Sequence, residues 1–172
     1  METEKLIWEL PKGLLRWYNF HKGERALFVT GGIAACDVLS EMLTECGLLT
    51  DCAEAEQLIS ATQRGKESFY DVIVLAGALE RSRSPVELLR TLQEMLSPKG
   101  RLLLGADNRL GIRYFCGDRD AFTGRNFDSI ENYVRINAAD MGQLEGRAYA
   151  RAEIQEMLEK AGVLMDACRI GD

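Results

Sequence analysis

Asp71-Val72-Ile73-Val74-Leu75-Ala76 is an unbroken apolar run after a single acid, and Arg101-Leu102-Leu103-Leu104-Gly105-Ala106 repeats the pattern thirty residues later. Continuous runs of this length, without alternation, are expected of strands buried on both faces of a parallel sheet. Between them, Ser84-Pro85-Val86-Glu87 offers an N-cap serine, a proline at the first helical position and a glutamate placed to complete a capping box. Leu88, Leu89, Leu92, Met95 and Leu96 follow at helical spacing until Ser97-Pro98-Lys99-Gly100 interrupts the helix. The stretch 71–106 therefore reads as strand, helix, strand.

Working outward, Ala26-Leu27-Phe28-Val29-Thr30 is another buried strand, closed by the turn Gly31-Gly32. Val38, Leu39, Met42 and Leu43 recur at helical spacing up to Gly47; Leu48 to Cys52 predicts a second strand, and about Ala55 to Gln63 a weaker helix. Ile154, Met157, Leu158 and Ala161 mark a last helix that ends at Gly162. Alternating strands and helices imply an α/β, doubly wound, mainly parallel sheet with helices on both faces.

One domain accounts for all 172 residues. It divides into an N-terminal helical segment (about 1–23), a core (about 25–106), an irregular substrate-side loop (about 107–149) and a C-terminal helix and strand (about 150–172). No apolar run suits a third strand between Gln63 and Tyr70, and little chain follows Val163. The sheet is thus expected to lack edge strands, and incomplete edges invite self-association or a partner subunit.

Acidic residues outnumber basic ones by 27 to 21, which argues against a phosphate-binding surface and so against nucleic acid. The charged first thirty residues leave no stretch for a signal peptide or membrane span, and a cytoplasmic location is expected. Cys36, Cys46, Cys52, Cys116 and Cys168 are scattered, read as reduced packing residues, and no metal site is expected.

Several segments together resemble the class I S-adenosylmethionine-dependent methyltransferases, in particular a bacterial branch associated with cell-surface glycan biosynthesis. They are Trp17-Tyr18-Asn19-Phe20, Gly31-Gly32, Phe69 to Val74, Gly77-Ala78-Leu79-Glu80 and Leu96 to Leu104. Asn108 to Tyr114, Thr123-Gly124 and Phe127 to Tyr133 extend the likeness through the loop. The resemblance implies S-adenosyl-L-methionine as cofactor and a small-molecule or glycan-type acceptor. It places Thr30, Gly31 and Gly32 at the cofactor loop, Glu54 (or Asp51) at the ribose, and Gly77 and Leu79 near the adenine.

The chain also departs from that pattern. Phe28 stands where active relatives carry an acid, Thr30 and Ala34 replace flanking glycines, and Phe122 stands where the branch carries a histidine. His21 is the sole histidine and reads as a turn residue. A dehydrogenase is disfavoured because Gly31-Gly32-Ile33-Ala34-Ala35 does not give G-x-G-x-x-G.

Methyl transfer relies chiefly on alignment of the acceptor, and a hydroxyl acceptor also needs a proton taken away. Asn108 first, and Asp107 with it, lead on the catalytic side because ligands on parallel sheets bind beyond the carboxyl ends of the strands; Asp107 and Tyr114 are also loop residues able to supply or orient the deprotonating group. Asp120 and Glu131 are further loop acids, and Tyr114, Phe115, Phe122, Phe127 and Tyr133 are candidate lining for an acceptor pocket. For Asn108, an ordinary strand-end turn is an equal alternative. Two functions stay open: a methyltransferase, or a non-catalytic descendant that keeps the scaffold for binding or assembly.

Overall fold

The computed structural model describes residues 18–31, 44, 47–61 and 69–164. In chain order the elements are β1 (Arg25–Thr30), β2 (Leu49–Glu54), α1 (Ala55–Ala61), β3 (Tyr70–Ala76), α2 (Pro85–Met95) and β4 (Leu96–Gly105), followed by α3 (Ile112–Phe115), α4 (Ala138–Met141) and α5 (Arg151–Ala161). The strands form one parallel sheet in the order β2-β1-β3-β4. This is the α/β sheet expected from the apolar runs.

Side-chain alternation splits the two central strands between two core layers. Leu27, Val29, Ile73 and Leu75 face one layer, where Leu88, Leu89 and Leu92 of α2 and Met157, Leu158 and Ala161 of α5 pack against them. Ala26, Phe28, Val72, Val74 and Leu103 face the other, against Leu48, Tyr18 and Phe20. Each fully buried leucine contributes about 1.5–3 kcal/mol. The helix expected around Val38 to Gly47 for this second layer lies outside the described residues, except for helical Thr44 and the turn at Gly47.

Several boundaries differ from the sequence reading. The segment Ser97-Pro98-Lys99-Gly100 does not separate helix from strand, because β4 begins at Leu96 and includes it. A register shift between Tyr70 and Val72 absorbs the extra residues. Proline is tolerated there because β4 pairs only with β3 among the described residues, so an edge lacks one donor. The capping box at Ser84 does not form: its side chain makes no cap bond, and its own N–H donates to Ser82 Oγ at 3.2 Å. Residues 18–23 form a bend and a turn rather than helix; 1–17 and, beyond Val163 and Leu164, the expected last strand lie outside the described residues.

Cys116 is free and exposed, whereas Cys52 is disulfide-bonded, which corrects the reading of all five cysteines as reduced. Among the described residues no helix is long and apolar enough to cross a membrane.

The segment 107–149 is irregular, as expected, but it is packed. Tyr114, Tyr133, Ile136, Ala148, Asp120, Asp128 and Ser129 are all buried. Asp120 organises its centre: Oδ1 accepts the N–H groups of Phe122 and Thr123, and Oδ2 accepts the Tyr133 hydroxyl at 2.9 Å. That hydroxyl in turn accepts Ala148 N–H at 2.8 Å. The bonds hold Tyr133 at φ +59°, a left-handed conformation uncommon for a bulky residue.

Candidate functional site

Parallel pairing brings all the carboxyl ends of the strands to one side. Thr30 lies level with Glu54 on one flank and with Ala76 on the other, and Ala76 lies level with Gly105. Gly31 and Gly77 begin the loops just beyond that row, and Asp107 is the second residue beyond Gly105. The strand order reverses direction between β1 and β3, where crevices form on such sheets.

The cofactor-side residues fall into distinct settings. Glu54, half-buried, accepts the Gln57 amide at 3.0 Å through Oε2. Asp51, its alternative, is committed elsewhere: it accepts the Tyr70 hydroxyl at 2.9 Å and pairs with Arg25 at 3.3 Å, both at the opposite ends of their strands. Burial, with the bond and charge of Asp51, pushes the Tyr70 phenol up to about 12. Thr30 is buried, and Leu79 is buried within the helix-side core. Gly77 has φ +66° and open space around it. Gly32 lies outside the described residues.

Gly31 is a glycine for a packing reason. A Cβ there would lie 2.8 Å from the Gly77 carbonyl oxygen and 2.7 Å from Arg81 Cδ. The Arg81 stem crosses this point, and its guanidinium lies over the Phe122 ring and pairs with Glu145 at 3.5 Å. Phe122 in turn packs on Gly146, where a Cβ would lie 2.6 Å from its ring.

On the acceptor side, Asp107 and Tyr114 are brought together. The Tyr114 hydroxyl donates to Asp107 Oδ2 at 2.6 Å, and Arg113 donates to both. Burial, then the bond to Asp107, drives the Tyr114 phenol far above its usual range, so it is a donor and not a base. Asn108 uses Oδ1 to accept Leu110 N–H at 3.1 Å, the turn arrangement weighed for it from sequence. Glu131 pairs with Arg135. The five aromatics do not form one lining: Tyr114 and Tyr133 are buried, Phe122 is half-buried, and Phe115 and Phe127 are exposed.

Glu80 was missed. It is only 3% exposed. Oε1 accepts the Asp107 N–H at 2.6 Å, and Oε2 has no hydrogen-bond partner. Its backbone carbonyl accepts Arg147 N–H at 2.9 Å. Burial pushes its carboxyl up to about 7; the Asp107 N–H and Arg81 oppose the shift, and the Asp107 charge adds to it. In sequence it closes Gly77-Ala78-Leu79-Glu80, and no spacing distinguishes it from a solvated loop acid.

An open groove between α1 and α2, lined by Ile59, Pro85, Val86, Glu87, Arg90 and Glu94, contains none of these residues. No cluster of Cys, His, Asp and Glu suited to a metal occurs among the described residues.

No family model and no curated protein matches the sequence. Solved structures do match. A Thermotoga maritima SAM-dependent methyltransferase, described as a candidate histamine N-methyltransferase, aligns over 94% of this chain and 76% of its own, with 16% identity and a TM-score of 0.53. The chain has a methyltransferase fold. A candidate methyltransferase of Bacillus halodurans shares that fold over 88% of this chain and 65% of its own, at 19% identity and a TM-score of 0.53. So does a phosphoethanolamine N-methyltransferase of Haemonchus contortus, solved with phosphomonomethylethanolamine and S-adenosylhomocysteine (15% identity, TM-score 0.54). That alignment covers 90% of this chain but 37% of the other, so this chain spans little more than a third of its length.

Proposed function

We propose that this chain is an S-adenosylmethionine-dependent methyltransferase domain that acts on a small-molecule acceptor, with a glycan-type acceptor as the form its sequence resemblance implies. The observation that carries this reading is the shared strand-end row: Glu54 level with Thr30, and Gly77 following Ala76. A carboxylate in that position suits ribose hydroxyls, because an ionised acceptor makes the stronger hydrogen bond. A glycine in a left-handed turn with open space lets backbone approach a ligand closely. The residues present fit the cofactor at these two points.

The cofactor supplies, when bound, a methyl group on a sulfonium. The chain's own residues do the rest. Glu54 holds hydroxyls, and the Gly77 backbone bounds the crevice. Asp107 is the proton acceptor of the acceptor side, with Arg113 and Tyr114 fixing its carboxylate. Alignment supplies most of the acceleration, since holding two reactants in register removes much of the entropic barrier.

Two observations favour the second reading, a non-catalytic binding or assembly module. Phe28, buried in the second core layer, supplies no charge for a ligand, and the Gly77 carbonyl and the Arg81 stem press on Gly31. Calorimetry with S-adenosylmethionine and S-adenosylhomocysteine separates the two. Micromolar binding supports the enzyme; no heat at millimolar ligand overturns it and leaves the module.

A further inference from the structure

We propose that Glu80 is the positioning residue of the Asp107 site and serves it as a neutral acid, one oxygen holding the Asp107 backbone while the other carries the proton. The inference rests on reading Asp107, Arg113 and Tyr114 as the acceptor side.

The geometry points to the neutral form. An ionised carboxylate taken out of water needs bonds to both oxygens or a cation against it. Glu80 has neither: the Asp107 N–H and, as a lesser aid, its own backbone N–H favour the charged form, but Oε2 has no hydrogen-bond partner and the group is almost wholly enclosed. The charged and titratable groups around it explain why. From its own loop, Arg81 turns away to Phe122 and Glu145. From the end of β4, Asp107 presents a like charge, already engaged by Arg113 and Tyr114. From the returning chain, Arg147 offers Glu80 only its backbone N–H; its guanidinium reaches Asn132 and Glu153 and lies over Tyr133 and Tyr149. Tyr149 is pushed above its ordinary value by burial and, against Arg147, by the charges of Glu80 and Glu153.

The position matters as much as the charge. Glu80 lies midway along the loop after β3, grips the second residue after β4 through its side chain, and receives Arg147 on its carbonyl; a Cβ on Gly146 would lie 2.5 Å from that carbonyl oxygen. It therefore fixes where Asp107 stands relative to the sheet. Ionising Glu80 sets a second negative charge beside Asp107, and the Arg113 and Tyr114 contacts report it. The raised carboxyl value agrees with this arrangement.

The test is a carbon-13 titration of the Glu80 carboxyl and the Tyr114 Cζ from pH 5 to 9, in the wild type and in Glu80→Gln, which keeps an acceptor for Asp107 N–H. The expected result is a Glu80 midpoint near about 7, the same step at Tyr114, and loss of that step in Glu80→Gln with the Tyr114 resonance otherwise in place. A Glu80 midpoint in the ordinary carboxylate range, about 4.3, overturns the proposal. So does a Tyr114 step that is absent from the wild type or persists in the variant. Should Glu80→Gln not fold, the two wild-type resonances, assigned through bonds, decide alone. Neither readout involves cofactor or acceptor, so failure to bind S-adenosylmethionine defeats the methyltransferase reading and leaves this result standing.

Discussion

Glu80 Oε1 and the backbone N–H of Asp107 meet at 2.6 Å, joining the loop after β3 to the loop after β4 through a side chain that is almost entirely enclosed. Its carboxyl sits at about 7 against an ordinary value of 4.5. The folded protein thus keeps a proton that the unfolded chain releases. That stabilisation is complete below the unfolded value and is lost as pH rises through about 7. The predicted loss between pH 5 and pH 8 is on the order of 3 kcal/mol. Urea unfolding at the two pH values measures it, and Glu80→Gln should flatten the difference; equal slopes in both proteins would refute the assignment.

Glu153 titrates with the opposite sign. Burial alone would raise it, but the Ala150 N–H, Arg109 at 2.7 Å and Arg147 at 3.0 Å together hold it below the usual carboxylate range. Its contribution is present above the unfolded value and lost as pH falls through the lower, folded one. Glu153→Gln should cost about 1–3 kcal/mol at pH 7, and the gap to wild type should narrow toward pH 3. A gap that stays constant across that range argues against the ion pairs.

Gly31→Ala tests whether that glycine serves packing. Its Cβ would meet the backbone oxygen of Gly77, which cannot swing aside as the Arg81 stem can. A loss of about 1–3 kcal/mol is expected from such overpacking, read by chemical denaturation. A neutral substitution would show that the β3 loop yields readily.

Much of this was legible in the sequence, and the particular failures are instructive. Residues 26–30 and 72–75 declared themselves because a strand buried on both faces needs no polar alternation, and 102–105 carry the same run although Leu102 and Leu104 are only half-buried. Pro85 marked the start of α2 correctly. Ser84 does not cap it: its side chain makes no cap bond, and its N–H, which the Glu87 carboxylate would accept in a capping box, goes to Ser82 Oγ. The Pro98-Gly100 interruption looked like an ending and is an irregularity within β4, since only the pairing with Tyr70 distinguishes the two. Asp107 stands out by its place after a strand, whereas Tyr114 reads only as one of several loop groups able to handle a proton. Glu80 does not stand out: its enclosure depends on Asp107, Gly146 and Arg147, distant in sequence. Asp51 and Glu54 were indistinguishable until Tyr70 and Arg25 claimed the first.

That last distinction gives a paired experiment. Glu54→Gln should weaken S-adenosylmethionine binding roughly tenfold, equivalent to about 1.4 kcal/mol, with little change in stability. Asp51→Ala should do the reverse, losing about 1 kcal/mol of stability because the Tyr70 hydroxyl is left without its acceptor, and leaving affinity intact. Calorimetry and thermal melting on both variants check it, and exchanged phenotypes would reverse the assignment.

The strand order carries a consequence for how the chain is made. β1 is synthesised before the other described strands yet lies inside the sheet, with β2 on one side and β3 on the other. At ~5–20 residues per second, the ribosome takes several seconds to travel from Thr30 to Ala76. Throughout that interval Ala26-Leu27-Phe28-Val29 has an open flank awaiting its second neighbour. A nascent chain halted before Tyr70 should therefore be the form most prone to chaperone capture and aggregation.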